Sequence, residues 1–392
     1  MNRDSKIAWA LIAPLLAFIV IGFVLPITIS VLKAFDNPEV EAALPRTVAA
    51  LDGWTGDGPP AEPAYTALIE DMAAAESGQA FGKMTRRLNF EEPGIRTLMM
   101  QTRRAVDSLE PPFAESVVTR FPEWGEAAPW KLIQAHSDPY TATYILRSLD
   151  LQIAADESIQ AVPEDQAIFI ELFIRTFSIS IWVTIIAMLI GYPTAYFLSS
   201  LSGRAASFAM LCVLVPFWIS ILVRSTAWFI ILQREGPINA AMLALGMIDA
   251  PEAIIFTRPA VYIAMVHVML PFFILPLYSV MKRTRTDYLR AAASLGAPPL
   301  RQFLHIYLPL TMPGVAAGGL MVFMLSIGFY ITPALVGGLR DQMISYYIAY
   351  FTNTSINHGM AAALSLLLLT FTAMIVVVAS RLVPNFRGQA KG

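Results

Sequence analysis

The chain has 392 residues, of which 56% are hydrophobic and only 14% charged, and its mean hydropathy is +0.59. That is more apolar surface than two or three soluble domains of this length can hide, so the composition points to a polytopic membrane protein. The net charge of −2 conceals two opposite parts: residues 34–165 hold 10 Lys+Arg against 22 Asp+Glu, net −12, and the remainder holds 17 against 7, net +10.

In chain order, six uncharged runs are long enough to span about 30 Å of hydrocarbon, which takes roughly 20 helical residues. The first, 7–32, follows the basic leader MNRDSK. It is too long for a signal-peptide core and lacks a small-x-small cleavage site, so it reads as a retained span in a bacterial inner membrane. The acidic segment 34–165 comes next. GWTGDGPPAEP at 53–63 is rich in turn residues, whereas AYTALIEDMAAAESGQAFGKMTRRL and IRTLMMQTRRAVDSL space their apolar residues at helical intervals, so a small, mostly helical insert is expected. It has no cysteine, and Cys212, the only thiol, has no partner for an intrachain disulfide. Its stability is therefore expected to come from packing onto the spans or a partner.

Five further runs follow: 176–203, 205–223 continuing past Arg224 to about 232, 259–281, 306–335 and 359–380. Prolines recur within them, a feature that packed membrane helices tolerate as kinks. Six crossings put both termini on one side. That side carries Arg3, Lys6, Arg204, then Lys282, Arg283, Arg285, Arg290 and Arg301 in a single loop, then Arg381, Arg387 and Lys391. The positive-inside rule makes it cytoplasmic and places the insert outside.

The loop itself, RAAASLGAPPLRQFLHIYLPL at 290–310, predicts a helix-turn-helix elbow. Thr286 or Asp287 caps a short helix, Gly296 supplies its left-handed end, and Pro298 or Pro299 opens the next helix. Ala291, Ala292 and Ala293 offer almost no side chain, so another protein surface can approach closely. An ordinary loop, alanine-rich through helix propensity alone, has the same local pattern.

Spacing favours the elbow. Counted from Arg290, the stretch resembles the permease signature of bacterial ABC importers: Glu-Ala-Ala, three residues, Gly, nine residues, Ile-x-Leu-Pro. Ala291, Ala292, Gly296, Ile306, Leu308 and Pro309 are in register, and Arg290 stands where the signature has glutamate. The stretches at 175–199, 215–239, 266–283, 308–319 and 331–338 are similar to the spermidine/putrescine-type permeases, so the resemblance covers about 170–382. The insert is longer than the corresponding loop of that family, and its role is not carried over.

The resemblance implies an all-α polytopic membrane protein with six transmembrane helices of the ABC importer permease type and a large helical extracytoplasmic insert. Its parts would be a first transmembrane helix at 1–33, the insert at 34–165, a permease core at 166–382 with five helices and the coupling loop 282–305, and a cytoplasmic tail at 383–392. It further implies an ATPase-coupling role for Arg290, Ala291, Ala292, Gly296, Ile306, Leu308 and Pro309. The expected partners are a cytoplasmic ATPase dimer carrying the ATP, a second homologous permease, an extracytoplasmic solute-binding protein and membrane lipid. Polyamines or a related small organic solute are the expected cargo. Arg290 makes the loop 282–305 more basic, with five Lys+Arg against Asp287 alone, so the partner groove is expected to be acidic or indifferent there.

Other chemistry is not signalled. There is no G-x-x-x-x-G-K-[ST] motif, so ATP hydrolysis is expected on another subunit and the chain is not read as an enzyme. His136, His267, His305 and His358 lack zinc-like spacing, and neither a metal, a cofactor in this chain nor a nucleic acid partner is expected. Arg224, Arg175 and Glu171 lie in or beside apolar runs, where charge is costly: each either snorkels to the interface or lines a pathway. On the second reading Arg224 and Trp228, with the backbone of Gly337 and Gly338, shape a translocation path or gate. Two other classes remain open at this level. A membrane-anchored sensor would use the insert as its ligand-binding domain but should carry a signalling domain, for which about a dozen residues follow the last run. A passive channel or secondary transporter has no use for a motif-spaced elbow.

Overall fold

The computed structural model describes residues 3–74, 78–153, 158–285 and 287–382. Thr286 and the tail 383–392, with Arg387 and Lys391, lie outside the described residues. The chain divides into two compact units, Met1–Val162 with Phe351–Leu366, and Pro163–Tyr350 with Leu367–Gly392. Five helices among the described residues are long and apolar enough to cross a membrane: Leu11–Leu32, Phe169–Ser200, Arg258–Arg283, Pro299–Ile327 and His358–Ala379. A sixth crossing requires Gly203–Trp218 and Ile221–Ile231 to count as one span.

That pair is broken more sharply than a proline kink, because its two helices meet at 96°. Pro216 brings no amide to the last turn of the first helix, and Ile219 (ψ 130°) and Ser220 (ψ 142°) then take extended backbone angles, which ends the helical register. The run 306–335 is likewise not a single helix. Its helix ends at Ile327, and a separate short helix, Ile331–Val336, follows.

In the first unit, the segment after the leading span folds into short helices around its own core. Trp124, Trp130 and Tyr65 form its centre, with ring centroids 4.7 Å apart for Tyr65–Trp130 and 4.9 Å for Trp124–Trp130. Each polar edge is satisfied: Tyr65 Oη and Trp130 Nε1 donate to the Trp124 carbonyl at 2.7 and 2.9 Å, and Trp124 Nε1 donates to Thr102 Oγ1 at 2.9 Å. Carboxylates take over the capping of free helix amides. Asp71 accepts from the Thr47 amide at 2.8 Å, and Glu62 accepts from the amides of Phe113 and Ala114 at 2.6 and 2.8 Å. The segment thus has a core of its own, and the expected packing onto a span is also present, where Tyr144 meets Gly359.

The helical expectation over 64–88 is met by Glu62–Ala74 and Gly78–Glu91, that over 95–109 by Ile95–Ala105 and the short turn Val106–Ser108, and an antiparallel strand pair, Leu151–Ile153 with Ile159–Ala161, adds the only sheet among the described residues. Arg87 is buried and ties several segments together. It donates to Glu91 at 2.7 Å and Asn37 at 3.3 Å, approaches His136 Nδ1 at 3.4 Å, and lies 4.7 Å above the Tyr144 ring. Desolvation, reinforced by this guanidinium, pushes the His136 imidazole down to about 4. Gly359, at the start of the last long helix, abuts the Tyr144 ring so closely that a Cβ would sit 2.2 Å from it.

In the second unit, Phe169–Ser200, Arg258–Arg283 and Leu308–Ile327 form a three-helix core around Phe273, Met269 and Val322. Small residues allow the close approach: a Cβ on Gly318 would lie 2.8 Å from the Phe273 carbonyl. The Tyr192 hydroxyl meets Thr311 at 2.9 Å, and Lys282 Nζ donates to the carbonyls of Ser199 and Leu201 at 3.2 and 3.0 Å, closing the ends of two helices over each other.

Candidate functional site

The elbow follows directly from Arg258–Arg283. Asp287–Ser294 forms an eight-residue helix that buries none of its side chains. It stops at Gly296, whose φ is +83°. The Gly296 amide donates to the Ala293 carbonyl at 2.9 Å and the Ala297 amide to the Ala292 carbonyl at 3.0 Å, the paired bonds of a Schellman ending. Pro298 is extended and Pro299 opens the helix Pro299–Gln302, where a missing amide costs no intrahelical bond. Phe303–Tyr307 then widens into one π-helical turn, and Leu308–Ile327 continues the helix.

The motif residues lie along this path. Arg290 and Ala291 are exposed and Ala292 is half-buried on the short helix; Ile306 lies in the π turn, and Leu308 and Pro309 begin the long helix. No carboxylate pairs with Arg290 among the described residues. Leu295 is 89% exposed and Leu300 70% exposed, so the tip offers apolar side chains within a basic surround. Such an array can take up a complementary protein surface.

The second group of predicted residues gathers at the bent pair. Arg224 is only 8% exposed, and its Nε has no hydrogen-bond partner among the described residues. On the next turn Trp228 Nε1 donates to His267 Nδ1 at 3.1 Å, and since an indole nitrogen only donates, His267 is neutral with its proton on Nε2. Ser225 meets Thr332 at 2.7 Å, joining this helix to Ile331–Val336. Gly337 and Gly338 occupy the turn that follows, where Cβ atoms would stand 2.6 Å from the Pro333 carbonyl and 2.7 Å from the Phe256 carbonyl. Arg258 and Asp341 fasten that turn with a 2.9 Å ion pair, and Asp341 also accepts from the Gly338 amide. Arg175 is mostly buried, pairing with Glu171 and donating to the Gln342 carbonyl. His267, Thr332 and Thr311 were not singled out for a role from sequence, because their partners lie 39 to 119 residues away.

Residues 168–388 match the family of binding-protein-dependent transport system inner membrane components. The chain belongs to this family. As a member it is an inner membrane component of a transport system, and five helices among the described residues, or six if the bent pair is one span, are long and apolar enough to cross a membrane. Among its relatives, the spermidine/putrescine transport system permease protein PotB of Escherichia coli (strain K12) is 35% identical over 181 residues, 46% of this chain. The match spans 66% of that protein, slightly under two thirds of its length. The protein of the same name from Haemophilus influenzae is 34% identical over 204 residues, 52% of this chain and 71% of that one. The inner membrane ABC transporter permease protein YdcU of Escherichia coli (strain K12) is 31% identical over 225 residues, 54% and 71% of the two chains. The polyamine-type permease resemblance read from 170–382 is therefore borne out.

Proposed function

We propose that this permease is the membrane subunit of an ATP-driven, binding-protein-dependent importer of polyamines such as spermidine and putrescine, or of a related small organic solute. The observation that carries the reading is the elbow at 287–305, whose first helix ends in a left-handed glycine and which turns Ala291, Leu295 and Leu300 outward. A cytoplasmic ATPase dimer receives it through Arg290, Ala291, Ala292 and Gly296, and Ile306, Leu308 and Pro309 pass the movement into the span behind. ATP binds those subunits, and this chain carries no cofactor of its own. A second homologous permease completes the path, and Arg224, Trp228, Gly337 and Gly338 form its gate on this side.

Both termini lie in the cytoplasm and the 34–165 insert in the periplasm, where its net charge of −12 docks the solute-binding protein and concentrates cationic solutes. The substrate class rests on the names of the polyamine-transport relatives. The test is co-purification of the chain with its partners and uptake of radiolabelled spermidine and putrescine into proteoliposomes. Uptake should require both ATP and the binding protein; ATP-independent uptake refutes the importer, and transport of other solutes alone refutes the substrate. Deletion of about 50–150 should lower binding-protein-dependent uptake while the ATPase still co-purifies, and undiminished uptake at low solute concentration refutes docking.

A further inference from the structure

The same four-residue pattern occurs twice, Leu25-Pro26-Ile27-Thr28 in the first span and Leu308-Pro309-Leu310-Thr311 in the fifth. Each is preceded by a π turn of five residues, Val20–Val24 and Phe303–Tyr307. In both, the leucine amide reaches back five residues, Leu25 to the Val20 carbonyl and Leu308 to the Phe303 carbonyl. The proline explains the shared register. It brings no amide, so an α register loses a bond at that point and a widened turn costs little by comparison. The threonine two residues on supplies a donor: Thr28 Oγ1 donates to the Val24 carbonyl at 2.8 Å, and Thr311 Oγ1 lies 3.1 Å from the Tyr307 carbonyl and 3.0 Å from that of Leu308.

The two turns differ in what holds them. Thr28 is exposed, and its hydroxyl meets only its own helix among the described residues. Thr311 is fully buried, and Tyr192 Oη on Phe169–Ser200 lies 2.9 Å from it. The two hydroxyls share one hydrogen bond, in which either can donate, and Thr311 thereby links its own helix to the neighbouring span. Ring contacts reinforce the attachment, Tyr192 to Phe303 at 5.9 Å and Tyr196 to Tyr307 at 5.4 Å, both edge-on. The local sequence thus makes the turn in both places, and behind the elbow the turn is in addition pinned to a neighbouring span.

We infer that Thr311 and Tyr192 are positioning residues for coupling: their hydrogen bond fixes the π turn to the second span, so that displacement of the elbow moves that span instead of being absorbed by the turn. The inference rests on the proposed importer function and adds to it the element that receives the stroke. Neither residue belongs to the surface proposed to meet the ATPase.

The experiment uses the reconstituted complex with its ATPase and binding protein and reads solute transported per ATP hydrolysed in Thr311→Val, Thr311→Ser and Tyr192→Phe. Thr311→Val keeps the shape and loses the hydroxyl, Thr311→Ser keeps the hydroxyl, and Tyr192→Phe removes the partner hydroxyl while leaving the turn's own threonine in place should Thr311→Val fold poorly. Thr311→Val and Tyr192→Phe should co-purify the ATPase at wild-type levels yet transport roughly 3- to 10-fold less per ATP, the equilibrium factor of one hydrogen bond, and Thr311→Ser should stay near wild type. Amide hydrogen exchange across 303–308 should quicken in the first two. An unchanged ratio in Tyr192→Phe, or a fall in Thr311→Ser equal to that in Thr311→Val, overturns the inference. Absence of binding-protein-stimulated hydrolysis in the wild-type complex instead refutes the importer reading, and the inference with it.

Discussion

Replacing Gly296 by valine is the sharpest perturbation of the elbow, because the cost can be assigned to a single cause. No atom lies within 4 Å of the position a Cβ would take, so a side chain meets no steric obstacle. The backbone is another matter: at φ +83° an L-residue pays about 1–2 kcal/mol, and a β-branched one is the least tolerant. The two bonds that close the helix, Gly296 to Ala293 and Ala297 to Ala292, depend on that conformation. A penalty of this size shifts the balance between the formed and misaimed elbow by roughly 5- to 30-fold. Gly296→Val should therefore reduce ATPase co-purification and binding-protein-stimulated hydrolysis by about that factor, with membrane insertion intact. Gly296→Asn, which tolerates the left-handed region, should recover most of the loss. Wild-type values for Gly296→Val in both assays would refute the elbow as the coupling element.

Ala292→Trp adds volume on the half-buried face of the same helix and should separate the ATPase or uncouple hydrolysis from transport; full retention of both would show that no close-packed contact forms there. Arg224→Met removes a buried cation whose Nε is unpaired, so thermal stability should hold or rise while uptake falls, and wild-type uptake would take Arg224 off the path. His136 gives a pH dependence with a definite sign. Its folded value of about 4 lies below the unfolded 6.5, so the unfolded chain gains a proton first as pH falls, and stability drops between about 6.5 and 4 and levels off below. The loss is at most ~3 kcal/mol, it should appear in tryptophan-monitored melts of the full chain, and His136→Gln should flatten it; an identical pH profile in the variant would contradict the assignment.

Hydropathy located the spans because composition alone decides whether a helix can cross a bilayer. Pro216 signalled a kink, but hydropathy could not tell that residues 203–231 turn through 96°, since an average over apolar residues carries no direction. The elbow was legible because glycine and proline state backbone conformations outright, and the structure places Gly296 and Pro299 as read. The burial of Arg224 was not legible, because whether a long side chain is covered depends on helices that join it only after folding. The self-contained core of the insert was missed for a related reason: Trp124, Trp130 and Tyr65 read as scattered aromatics until folding brings their rings together.

The π turn at Phe303–Tyr307 also constrains how this permease can vary in length. An α-helix advances about 100° per residue, and a turn holding one extra residue shifts every later side chain by that step. Gly314 and Gly318 face Leu277 and Phe273 only with the extra residue counted in. Loss of one residue between Pro299 and Leu308 would swing the glycines aside and present bulkier neighbours to Arg258–Arg283, so a deletion there should be rejected unless a compensating insertion accompanies it before Gly314.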